Sequence, residues 1–96
     1  MKVVVRKYAG QGASQLIDAI EAHASDVESV IGAVNGLVNY MLVRTADGGF
    51  SVTVCEDQAG IDESAAKAKE WIAANAGDVG GAAPEVSVGD VVIKLR

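Results

Sequence analysis

The sequence predicts an α+β fold with the element order β-α-β-β-α-β. Three observations carry that expectation. A β-branched run, Val3-Val4-Val5, lies near the start; two stretches repeat apolar residues at spacings of three and four; and between them two apolar runs flank Asp47-Gly48-Gly49. At 96 residues the chain suits one domain, spanning 1–96.

Lys2 to Tyr8 reads as the first strand, bounded by Gly10 and Gly12. Val3 and Val5 point one way and Val4 the other, so both faces are apolar. Ser14 offers an N-cap. From there Ile17, Ile20, Ala24, Val27, Ile31 and Val34 form one stripe with polar residues between, an amphipathic helix over about 13–33 ending or kinking near Gly32. Asn35-Gly36 marks a turn. Leu37 to Arg44 is the second strand, with Leu37, Asn39, Met41 and Val43 on one face and Val38, Tyr40, Leu42 and Arg44 on the other. After the Asp47-Gly48-Gly49 turn, Phe50 to Glu56 is the third strand. There Phe50, Val52 and Val54 oppose Ser51, Thr53 and Cys55. Asp57 to Gly60 reads as a loop. Asp62 or Ser64 then caps a second helix, with Glu63 in its positive end and Ala65, Ala68, Ile72 and Ala76 as its stripe beside Trp71. Residues 75–83 are small and Gly-rich, a loop, and Pro84 excludes further helix. Val86 to Leu95 holds the last strand, centred on Val91-Val92-Ile93.

Two βαβ halves with right-handed crossovers give a four-stranded antiparallel sheet with both helices on one face, the ferredoxin-like plait. Strands one, two and four carry apolar residues on both faces. An uncovered apolar face of roughly several hundred Å² is unusual on a soluble monomer. A second copy under two-fold symmetry is the simplest cover, so a homodimer packed sheet to sheet is expected.

Composition narrows the function classes. Eight Lys and Arg against 13 Asp and Glu give a net charge of -5, which disfavours nucleic acid and anionic membrane surfaces. A nucleic-acid-binding plait would also need stacking aromatics on strand three, where only Phe50 stands. No apolar run reaches the length of a membrane span, and Arg6-Lys7 interrupt the first run before it could act as a signal segment. The single cysteine, Cys55, allows no internal disulfide and fits a reducing, cytoplasmic setting. His23 with scattered carboxylates falls short of a metal site, and Gly10-x-Gly12 falls short of a phosphate cradle. No metal and no cofactor are expected.

Seven residues stand out as candidate ligand contacts: Arg6, Tyr8, Tyr40, Arg44, Ser51, Thr53 and Trp71. A guanidinium fixes an anionic oxygen, and a phenol donates or accepts a proton. Equally, Arg and Tyr at strand ends can simply reach solvent. Ser51, Thr53 and Cys55 form a strip of small side chains that either leaves room for a ligand or admits a partner sheet. Cys55 as a nucleophile needs a basic neighbour; otherwise it is an inert thiol. Trp71 either lines a pocket or fills the core.

The element order, the length, GLVNYMLVRTADGGFSVTV and the following SAAKAKEW resemble the dimeric α+β barrel superfamily, in particular its antibiotic biosynthesis monooxygenase-like group. Gly36-Leu37, the Asp47-Gly48-Gly49 turn and Glu56 at the end of strand three carry the match. The resemblance implies a homodimeric barrel of bacterial type with a small-molecule pocket between sheet and helices, and chemistry such as cofactor-independent monooxygenation. The haem-degrading branch is a poor match, because the first strand has no Asn and the one histidine lies in the first helix. Asn39, Tyr40, Arg44, Trp71, Arg6 and Tyr8 are residue types that the quinone-oxygenase branch uses, without position-by-position correspondence, so no catalytic residue is carried over. The expected function is binding of a small apolar or aromatic molecule; the alternative is a non-catalytic structural or interaction module.

Overall fold

The computed structural model describes residues 1–77 and 84–95. Among these, β1 (Lys2–Ala9), α1 (Ala13–Ala22), α2 (Ala24–Gly32), β2 (Leu37–Thr45), β3 (Gly48–Cys55), α3 (Gln58–Asn75) and β4 (Glu85–Asp90) follow in order. The strands form one antiparallel sheet in the order β2-β3-β1-β4. Each helical crossover therefore passes over one intervening strand, the ferredoxin-like α+β arrangement expected from the sequence.

Alternation along the strands sorts side chains between two faces. Val4, Arg6 and Tyr8 of β1 are buried on the helix side; Val3 and Val5 are half-buried on the other. In β3, Gly49, Ser51, Thr53 and Cys55 are buried, while Phe50, Val52 and Val54 are half-buried. Ser51, Thr53 and Cys55 thus lie under the helices, which removes the reading in which a partner sheet packs on them. Strict alternation would put Leu37 of β2 with Met41 and Val43. Instead a register shift between Leu37 and Asn39 sets Leu37 opposite Cys55 and Tyr40 opposite Thr53. One extra residue in the strand flips the face, so Leu37 joins Tyr40 and Leu42 in the helix-side core.

The hairpin turn is tighter than the sequence reading. Thr45 pairs with Gly48, leaving Ala46 and Asp47 as the two turn residues, and Gly48 and Gly49 belong to β3. Their glycines answer to crowding. A Cβ on Gly48, which has φ +151°, would strike the Tyr8 carbonyl oxygen, and one on Gly49 would sit 2.8 Å from Ile17 Cδ1.

The stretch expected as one helix over 13–33 is two helices broken at His23. His23 leaves helical geometry at φ -116°, ψ 34°, and its N–H bonds back to the Ile20 carbonyl at 3.1 Å. The break turns α2 onto α3, so that Val27 and Ile31 pack against Trp71 while Ala24 is left exposed. Gly12, not Ser14, occupies the N-cap of α1. At its C-terminal end α2 stops at Gly32, as expected. α3 begins four residues before Asp62. Asp57 is its N-cap, and its Oδ1 accepts from the Gly60 N–H at 3.1 Å. Residues 57–60 are thus cap and first turn rather than loop, and Glu63 lies beyond the first turn, where its Oε1 accepts from the Asn35 N–H at 3.3 Å.

β4 ends at Asp90, before the apolar centre that the sequence offered. Its pairing with β1 sets Val88 opposite Val4 and Val86 opposite Arg6, so its valines face the helix side only. Val92, Ile93 and Leu95 lie beyond the sheet and are almost fully exposed. Of the loop expected at 75–83, Asn75 is helical and residues 78–83 fall outside the described set.

The helix-side core has three adjoining parts. Val4, Val34, Cys55 and Ile61 pack near the start of α3; Ile20, Val27, Ile31 and Trp71 fill the space between α1, α2 and α3; Tyr8, Ala13 and Ile17 pack under α1. The opposite sheet face presents Val3, Val5, Met41, Val43, Phe50, Val52 and Val54, and none of them joins these clusters. Met41 in its middle is 49% exposed.

Candidate functional site

The strand register builds a trough on the helix side. Arg6 lies beside Ser51, and Ser51 beside Leu42. Tyr8 flanks Gly49 at one end, and Tyr40 flanks Thr53 at the other. Small residues on the central strand, between large ones on its neighbours, leave space above β3. Ile20 of α1, Val27, Val30 and Ile31 of α2, and Ala68, Trp71 and Ile72 of α3 roof it. The cavity is about 30 Å³. A groove of about 320 Å³ runs beside it, rimmed by Glu21, Glu28 and Arg44. Ile20, Val27, Tyr40 and Leu42 line both spaces and separate them.

Five of the seven candidate residues meet at this cavity: Arg6, Tyr8, Tyr40, Ser51 and Trp71. The other two do not line it. Arg44 lies at the groove, where its Nη1 donates to Asp18 Oδ1 and its Nη2 to Glu21 Oε1, each at 2.7 Å. Two carboxylates already occupy that guanidinium. Thr53 is 1% exposed beneath the core, and its Oγ1 has no hydrogen-bond partner among the described residues.

Arg6 is the unusual member. It is only 7% exposed, and its buried Nη2 has no hydrogen-bond partner among the described residues. Among the described residues it joins none of the ion pairs. A buried guanidinium without an anion is costly, because the lost hydration is not replaced. The neighbouring phenols do not supply the charge. Burial pushes the Tyr8 hydroxyl above its ordinary value, only partly offset by Arg6. Tyr40 is raised as well, by burial and then by Tyr8. Both therefore stay protonated near neutral pH and can donate a hydrogen bond.

Trp71 is held from outside the cavity. Its Nε1 donates to Asp26 Oδ2 at 2.6 Å, and its ring meets His23 edge-on with centroids 5.9 Å apart. The helix break thereby fixes one wall of the site. Asp26 escaped the sequence reading because it acts 45 residues away in the chain. Ile20, Val27 and Ile31 were legible as the first helix's stripe, yet nothing local marked them as cavity wall.

Cys55 fits the inert reading. It is fully buried, and burial followed by Asp57 and Glu63 pushes its thiol up, away from thiolate. No group of three or more metal-ligating side chains exists among the described residues.

No protein-family model matches the chain, and no curated protein is a significant match. Solved structures do match. A protein of unknown function from Nitrosomonas europaea, NE2512, superposes with a TM-score of 0.71 at 17% identity, covering 99% of this chain and 91% of that one. The monooxygenase ActVA-Orf6 of Streptomyces coelicolor, in complex with the ligand nanaomycin D, gives 0.63 at 16% identity, with 97% and 92% covered. A dimeric ferredoxin-like protein from an uncultured marine organism gives 0.66 at 11%, with 99% and 95% covered. The chain thus has the fold of antibiotic biosynthesis monooxygenase-like and dimeric ferredoxin-like proteins over nearly its full length.

Proposed function

We propose that this protein is a homodimer that binds a small apolar or aromatic molecule in the cavity between sheet and helices. The observation that carries the reading is the convergence of Arg6, Tyr8, Tyr40, Ser51 and Trp71 on one otherwise apolar cavity. Few polar groups on an apolar wall are the usual composition of a small-molecule site. The cavity is small, so binding requires Tyr40 and Leu42 to swing and join it to the groove alongside.

Self-association is supported by the open sheet face, where Val5, Val52 and Met41 form a continuous apolar row across three strands. The dimeric ferredoxin-like neighbour supports it further. The monooxygenase neighbour, solved in complex with a ligand, supports small-molecule binding by this fold. By the same analogy the chemistry is monooxygenase-like and, as the sequence resemblance implies, cofactor-independent, with Tyr8 or Tyr40 passing a proton. With a single cysteine and so no internal disulfide, a reducing, cytoplasmic setting is the one proposed. Among the described residues no helix is long and apolar enough to cross a membrane.

Trp71 is the one tryptophan of the chain, so its fluorescence reports on the cavity directly. Titration with single-ring aromatics should change it saturably. Tyr40→Phe and Trp71→Ala, the latter followed by calorimetry, should weaken binding with the dimer intact. Unchanged binding in both would refute the site. A second reading, a non-catalytic interaction module, rests on the open apolar face, which dimerisation alone would explain. Purified protein that carries no small molecule and takes up none favours that module.

A further inference from the structure

We infer that the molecule taken by this cavity is an organic anion, an apolar or aromatic body bearing a carboxylate, whose oxygen accepts from Nη2 of Arg6. The inference rests on the proposed ligand site and specifies its occupant. The cavity wall is apolar on the helix side, which sets the body of the ligand. The Arg6 guanidinium, nine-tenths buried, lines the same space with Nη2 unpartnered. Among the described residues nothing in the wall neutralises it: none that line the cavity is Asp or Glu, and its two phenols are donors at neutral pH. An ionised carboxylate supplies both the missing charge and the missing acceptor. The rim arginine cannot take this role, since Asp18 and Glu21 already hold Arg44. Tyr8 and Tyr40 flank Arg6 along the register and can donate to the second carboxylate oxygen.

The test compares benzoate with benzamide, which has nearly the same shape and no charge. Binding is read by calorimetry at neutral pH on the wild type, Arg6→Met and Arg44→Gln, with circular dichroism confirming that each variant is folded. Benzoate should bind the wild type at least about tenfold more tightly than benzamide, the worth of one charge-assisted hydrogen bond. Arg6→Met should abolish that preference, and Arg44→Gln should retain it. Equal binding of the two probes to the wild type would overturn the anion assignment while leaving the cavity as a ligand site. A preference that survives Arg6→Met would overturn the role of Arg6. Binding of neither probe would overturn both this inference and the ligand-site reading beneath it.

Discussion

Replacing Arg6 with methionine should make the protein more stable, not less. Arg6 is 7% exposed, pairs with no carboxylate among the described residues, and leaves Nη2 without an acceptor. A buried donor left unmade costs about 1–3 kcal/mol, and more when the group is charged. Methionine has a similar reach, carries no polar hydrogen and adapts to an irregular cavity wall. The expected gain is therefore about 1–3 kcal/mol, or roughly 4–8 °C in Tm for each kcal/mol in a domain of this size. Urea denaturation at fixed protein concentration measures it, since any dimer ties stability to concentration. Added benzoate should raise the wild-type midpoint more than it raises that of the variant. A variant destabilised by more than about 1 kcal/mol would refute the reasoning, because the guanidinium would then be satisfied inside the fold. The predicted outcome places Arg6 among residues held for function at the expense of stability.

Other consequences follow from single contacts. Asp26→Ala strips the indole N–H of Trp71 of its 2.6 Å acceptor and removes an acid from the first turn of α2; a loss of about 1–2 kcal/mol in chemical denaturation is expected. Gly60→Ala puts a Cβ 2.8 Å from Cys55 Cβ and 3.0 Å from the Asn35 carbonyl oxygen, so an overpacking cost of about 1–3 kcal/mol should lower Tm. Stability should decline at alkaline pH. Burial raises Cys55 from an ordinary 9.0 and Tyr8 and Tyr40 from 10.0, so above pH 9 the unfolded chain ionises first and binds fewer protons than the folded one. Urea midpoints that hold constant from pH 8 to 11 would contradict those shifts. Val52→Glu places a charge opposite Val5 and Met41 at the middle of the open face; light scattering should show a dimer become a monomer.

The architecture was legible because its signals are periodic. Alternation in Phe50–Cys55 and the spacing of Ile17, Ile20, Val27 and Ile31 survive in the structure as buried and open faces. What the sequence hid depends on contacts between distant segments. No Pro or Gly marks the break at His23; it becomes favourable only when α2 can lie on α3 and Trp71 can reach Asp26. The shift between Leu37 and Asn39 has no local signature either, and it reverses the face of Leu37. β4 was overextended because Val91-Val92-Ile93 has the composition of a strand, although pairing with β1 ends at Asp90. Within the candidate site, Arg6, Tyr8, Tyr40, Ser51 and Trp71 stood out in the sequence by residue type alone. Their convergence came from register. Arg44 is set apart at the groove by contacts equally hidden in the sequence, since Asp18 and Glu21 reach it only across the α1–β2 contact.

The most direct measurement is a ¹H–¹⁵N correlation titration of the isotope-labelled protein with benzoate. The expected result is saturable shifts at the Trp71 indole N–H, the Arg6 side-chain N–H and the backbone of Tyr8, Tyr40 and Ser51. Shifts scattered over the open sheet face, or none at any of these five residues, would contradict a ligand site between sheet and helices.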